Sequence, residues 1–187
     1  MKLLNQKLGF PSSPLIFFAV AMTVVVAASN YAVQFPINDF LTWGAFTYPV
    51  SFLITELANR FFGPRLARRA VYAGFVTAVV VSLWLASPQI ALASGAAFLV
   101  AQLMDITIFN YLRRFSWWRA PLAAGSVASA VDTLVFFSIA FAGSGSLWMT
   151  LALGDFAFKL GMAVFMLVPF RVVLWRMTGT ASYLPRS

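Results

Sequence analysis

Four of the chain's five acidic residues stand in stretches otherwise almost free of charge: Glu56, Asp105, Asp132 and Asp155, with Lys159 one helical turn beyond the last of them. In an apolar setting a carboxylate can hold a proton, pair with a cation, or accept two neighbouring N–H donors from a ligand. Amides at Asn59, Gln102 and Asn110 add donors and acceptors in the same stretches. Glu56 and Arg60 stand four apart, as do Asp155 and Lys159, so on a helix each couple can meet on one face. Asp132 has no basic residue within reach on its own stretch. Cysteine and histidine are both absent, which removes disulfides, thiol nucleophiles, Cys/His zinc sites and imidazole general-base chemistry. No catalytic residue, metal ligand set or cofactor is expected.

The elements that could position these groups follow from composition. Of 187 residues 61% are hydrophobic and 10% charged, with a mean hydropathy of +0.87, as in a membrane protein. A hydrocarbon layer about 30 Å thick takes about 20 helical residues to cross. Apolar stretches bounded by Pro, Gly or basic clusters predict six such helices, near 14–34, 42–62, 68–87, 91–112, 120–142 and 147–176. The expected fold class is all-α, a single transmembrane domain over 1–187. Pro169 should kink or end the membrane part of the sixth helix. The first stretch has signal-peptide features, Lys2 and Lys7 before an apolar run, but the run is long for one and a retained helix is expected.

Basic residues alternate between the connections. Lys2 and Lys7, then Arg60, Arg65, Arg68 and Arg69, then Arg113, Arg114 and Arg119, then Arg171, Arg176 and Arg186 fall on one side. The connections PINDFL, SPQIA and GSGS contain neither Lys nor Arg, which predicts cytoplasmic termini. Trp43, Trp84, Trp117, Trp118, Trp148 and Trp175 fall near helix ends, as an interfacial belt requires. The net charge of +8 is thereby an orientation signal, and the expected partner is the bilayer, with no nucleic acid.

A charge near the bilayer centre costs from about 3 kcal/mol upward, so four acids at membrane depth point to a shared polar interior. Glu56 and Asp105 should lie about 10 Å from the cytoplasmic helix ends, with Asp132 and Lys159 near the midplane. Small residues in PLAAGSVASAVDT (121–133), with Gly154 and Gly161, allow close helix packing and leave a homodimer open. The string ALGD at 152–155 approaches the G-x-G-D of intramembrane aspartyl proteases, but Ala152 replaces the first glycine. No Tyr precedes Asp105 or Asp132 as the partner motif needs, so an enzyme is not expected.

The strings TYPVSFLITELANRFFGPRLARRAVYAGF (47–75), AQLMDITIFNYLRR (101–114), WWRAPLAAGSVASAVDTLVFFSIAF (117–141) and GDFAFKLGMAVFMLVPF (154–170) together resemble the queuosine precursor transporter family, also called the VUT family. Acid, amide and arginine recur in order from the second predicted helix through the sixth. The resemblance implies a bacterial inner-membrane importer of 7-cyano-7-deazaguanine and its aminomethyl analogue. It also implies a fold similar to the six-helix S components of energy-coupling-factor transporters. Many relatives carry Asp where this chain has Glu56, and an amide near Ala130.

A deazaguanine presents adjacent N1–H and 2-amino donors, a carbonyl acceptor and a flat apolar face. On this reading Asp132 or Glu56 would take the donor edge, with Asn59, Gln102 and Lys159 as candidates for the carbonyl or cyano group. Asp155 would hold Lys159 or exchange with it. Phe46, Tyr48, Phe52 or Phe136 would stack on the ring, and Arg60, Asp105 and Asn110 would form a supporting polar shell. Proton coupling, facilitated entry and docking on an ATP-driven module all stay open as energy schemes. A different class, a non-transporting membrane scaffold or subunit, would use the same charges only to specify helix pairing.

Overall fold

The computed structural model of the chain describes residues 13–32, 35–38, 41–85, 88–143 and 148–178; Lys2, Lys7, Asp39 and Arg186 lie outside them. The order is α1 (Pro14–Ala32), strands β1 (Pro36–Asn38) and β2 (Leu41–Thr42), a single turn α2 (Gly44–Thr47), then α3 (Pro49–Phe62), α4 (Pro64–Leu85), α5 (Pro88–Leu112), α6 (Arg119–Ala140) and α7 (Trp148–Thr178). Apart from the small antiparallel ribbon β1–β2, the fold is helical. Among the described residues five helices, α1, α4, α5, α6 and α7, are long and apolar enough to cross a membrane.

The helix expected over 42–62 is divided. Leu41 and Thr42 belong to the ribbon, and Pro49, with no N–H to continue the ladder, separates α2 from α3. Tyr48 between them keeps helical angles, φ −58° and ψ −41°, so the chain passes from one to the other without leaving the helical region. The 14 residues of α3 cover about 21 Å, which is why α3 does not qualify as a span alone. Gly63 ends it at φ 85°, in the region where a side chain is strained, while its N–H bonds Asn59 O.

Pro64 then opens α4 four residues before the expected start, so Arg65, Arg68 and Arg69 lie in its first turns and not in a connection. Pro169 lies inside α7, which continues past it to Thr178. At the basic end of the bundle Arg113 donates to the Asn59 and Arg60 carbonyls at 2.9 and 3.1 Å, and Arg60 donates back to Arg113 O. Two helix C-termini thus have orphan carbonyls satisfied by each other's arginines. The expected Glu56–Arg60 pair is not formed: among the described residues both ion pairs belong to Lys159, and Arg60 reaches across to α5.

One apolar cluster joins Phe18, Met22 and Val26 of α1 to Ile54 and Ala58 of α3, Ala67, Ala70 and Val71 of α4, and Phe98 and Ile106 of α5. The fourfold spacing on α1 leaves Ile16, Val20 and Val24 exposed on its other face, as a lipid-facing surface requires. A second cluster joins Phe109 of α5 to Ala120 and Ala124 of α6 and Phe170 and Leu174 of α7. Both clusters flank α3, which therefore stands as the inner wall of the bundle.

Candidate functional site

Two faces of α3 carry different polar groups, and helical spacing assigns them. Ser51, Thr55 and Asn59 recur every four residues and all turn toward α5. There Gln102 donates to Ser51 Oγ at 2.9 Å and accepts from Thr55 Oγ1 at 2.7 Å, while Asn59 donates to Ile106 O at 2.9 Å. The adjacent face carries Tyr48, Phe52 and Glu56, again four apart, and lines a cleft.

Across that cleft α6 presents Pro121, Gly125 and Ser129, and α7 presents Lys159, Ala163 and Met166. Gly125 faces Glu56 and Ala163: a Cβ at that glycine would sit at ordinary contact distances, 3.6 Å from Glu56 Oε1 and 3.7 Å from Ala163 Cβ. The eight residues from Tyr48 to Glu56 give the cleft a length of about 12 Å. Its walls between the polar ends are largely apolar, with Leu53, Phe52 and Met166 prominent. The cavity at its centre has a volume of about 20 Å³, room for about one water.

One end of the cleft is an ion network. Lys159 Nζ lies 2.7 Å from Asp132 Oδ2 and 2.5 Å from Asp155 Oδ2, and 3.3 Å from Thr133 Oγ1. Tyr48 donates to Asp132 Oδ1 at 3.0 Å, and Thr133 to Asp155 Oδ2 at 2.7 Å. Two acids and one base leave this network one negative charge in excess. Asp132, which has no partner on its own helix, takes Lys159 from α7 and Tyr48 from the junction between α2 and α3.

The other end is an acid without a partner. Glu56 is 4% exposed, and no described cation lies within 4.0 Å of it. Asp105 lies within electrostatic range of Glu56, is fully buried, and neither of its oxygens has a hydrogen-bond partner. Such a pair can hold protons, or Glu56 can accept N–H donors that enter the cleft.

Of the residues singled out by the sequence, Tyr48, Phe52, Glu56 and Lys159 line the cleft, and Asp132 and Asp155 hold Lys159. Gln102 and Asn59 are spent behind the wall, on α3 and α5. Phe46 is half exposed and meets Phe158 edge-on, and Phe136 packs on Phe137; neither lines the cleft. Asn110 faces outward and does not join Asp105. Thr133, Ser51, Thr55 and Gly125 were missed. Their signal was present in the fourfold spacing of Ser51, Thr55 and Asn59, and in Thr133 standing next to an unpartnered acid.

The sequence profile of the family described as "Putative vitamin uptake transporter" matches residues 42–87 and 83–174. The chain belongs to this family. It is 34% identical over 192 residues to a protein of Escherichia coli (strain K12) named "Queuosine precursor transporter", with 87% of each chain covered. It is 36% identical over 186 residues to a "Probable queuosine precursor transporter" of Haemophilus influenzae, covering 78% of this chain and 79% of the relative. A Bacillus subtilis protein of the same description is 23% identical over 153 residues. No solved structure matches the chain significantly. Membership makes this a multi-pass membrane transporter and not an enzyme.

Proposed function

We propose that this chain imports 7-deazaguanine precursors of queuosine, 7-cyano-7-deazaguanine first among them, across a bacterial inner membrane. The whole chain would act as one transmembrane domain with six crossings, α2 and α3 together making the second. Both termini would lie in the cytoplasm, in an arrangement similar to energy-coupling-factor S components.

The observation that carries the substrate reading is Glu56, a buried carboxylate on a cleft wall with its acceptors unused. A deazaguanine has two adjacent N–H donors that suit a carboxylate side-on, whereas adenine puts an acceptor there and would leave the acid unpaired. Of the two acids considered for that edge, Asp132 is already occupied by Lys159 and Tyr48, which favours Glu56. Lys159, which also lines the cleft, would exchange one of its present acceptors for the carbonyl or nitrile, with Phe52 and Met166 against the ring faces. The cleft in its narrow form has no room for a bicyclic base, so binding requires α3, α6 and α7 to separate.

The test is complementation of a bacterium that can neither make nor import the precursor. Wild-type protein should restore queuosine in tRNA when 7-cyano-7-deazaguanine is fed, and Glu56→Gln should not, at equal membrane abundance. Rescue by Glu56→Gln equal to wild type would remove Glu56 from the base edge. Absence of rescue by the wild-type protein would remove the substrate.

A further inference from the structure

The acids that the Lys159 network does not use, Glu56 and Asp105, sit where no nearby charge compensates them. On α7 Lys159 lies between Asp132 and Asp155, and on α6 Asp132 also takes the Tyr48 hydroxyl. On α5 Arg113 is directed to the Asn59 and Arg60 carbonyls, and on α3 itself Arg60 donates to Arg113 O. On α4 Arg65, Arg68, Arg69 and Tyr72 are exposed, and the titratable group of α1 among the described residues, Tyr31, is exposed near the opposite end of that helix. The turn α2 carries no titratable group. As ions, Glu56 and Asp105 would be two like charges in a dry interior without a cation in reach, which the interior strongly disfavours. A proton on each would remove that conflict.

Their surroundings differ in one respect. Asp105 is fully buried with both oxygens enclosed, and it does not line the cleft. Glu56 lines the cleft opposite Gly125, so its proton can leave when the cleft opens. A neutral Glu56 would turn an O–H donor toward a ligand edge made of two N–H donors, a repulsive match; only the carboxylate accepts both. Building on the substrate reading above, we propose that base and proton compete for Glu56, so that each deazaguanine bound releases one proton to the solvent while Asp105 remains neutral throughout. The balance is complete: the Glu56 O–H bond breaks, the proton goes to water, and the oxygens so freed accept the two N–H groups of the base.

The experiment is calorimetric titration of the purified full-length protein with 7-cyano-7-deazaguanine, in two buffers of different ionisation enthalpy and from mildly acidic to mildly alkaline pH. The bound form carries fewer protons, so affinity should rise with pH, by about tenfold per unit until empty Glu56 ionises. Heats in the two buffers should differ by the ionisation of about one proton per base. Asp105→Asn, which imitates the neutral acid, should keep both the binding and the proton release. Buffer-independent heats with pH-independent affinity in wild type would overturn the proposal. So would an Asp105→Asn protein that still binds but no longer releases the proton. Absence of any binding by wild type would instead overturn the substrate assignment, and this proposal with it.

Discussion

Replacing Lys159 by methionine removes the ammonium group while keeping an unbranched side chain as far as Cε. In the native protein that group lies 2.7 Å from Asp132 and 2.5 Å from Asp155, whose side chains are 7% and 29% exposed. Breaking a buried pair by deleting one partner costs about 3–5 kcal/mol, because the other charge is left without compensation. Asp155 keeps Thr133 and some solvent, so most of the loss comes from Asp132, which retains only Tyr48. We therefore expect Lys159→Met to lower stability by about 3 kcal/mol at neutral pH.

Adding Asp132→Asn removes the stranded charge and still offers Tyr48 an acceptor, so the double variant should regain about 2 kcal/mol. Reversible unfolding in mixed micelles, followed by tryptophan fluorescence, measures all three proteins. A loss below about 1 kcal/mol for the single variant would mean that the network behaves as an exposed surface pair. A double variant no more stable than the single would refute the stranded-charge account.

Gln102→Leu should cost about 1–3 kcal/mol in the same assay, since it strands the buried Ser51 hydroxyl and leaves Thr55 only the Ser51 carbonyl. Gly74→Ala would place a Cβ 2.4 Å from Met22 Cγ in a fully buried contact, for a loss of about 1–3 kcal/mol that should shrink in a Met22→Ala background. Gly125→Ala meets Glu56 and Ala163 only at ordinary contact distances, so it should change stability by less than about 1 kcal/mol. Gly125→Leu, in contrast, should fill the cleft and abolish uptake while membrane abundance stays normal.

The helices were legible because hydrophobic runs and their Pro, Gly and Arg boundaries are local signals; α4, α5, α6 and α7 lie within a few residues of expectation. What a local signal does not carry is where a helix divides. Pro49 is compatible with a kinked span or with a break, and the ribbon residues Leu41 and Thr42 read as the start of a helix. Partnership was less legible still. The spacing of Asp155 and Lys159 gave one contact of the network, yet Asp132 and Tyr48, 84 residues apart in sequence, meet only through tertiary packing. The Glu56–Arg60 spacing was equally good and gave no pair, because the Arg113 carbonyl at the end of α5 takes Arg60 instead.

That contrast explains why one charged couple in this interior is compensated and the other acids are not. Helical spacing offers Glu56 and Asp155 the same chance of a cation four residues on, and the outcome turns on depth. Arg60 lies in the last turn of α3, where its long side chain can reach unsatisfied carbonyls at a helix end. Lys159 lies far from either end of α7, away from the unsatisfied carbonyls of a helix terminus, and meets the acids of α6 and α7 and the Thr133 hydroxyl instead. Glu56 is thus left uncompensated by the same arginine exchange that braces α3 against α5. The brace fixes the cleft wall, and its consequence is a carboxyl group on that wall whose acceptors are open to whatever enters.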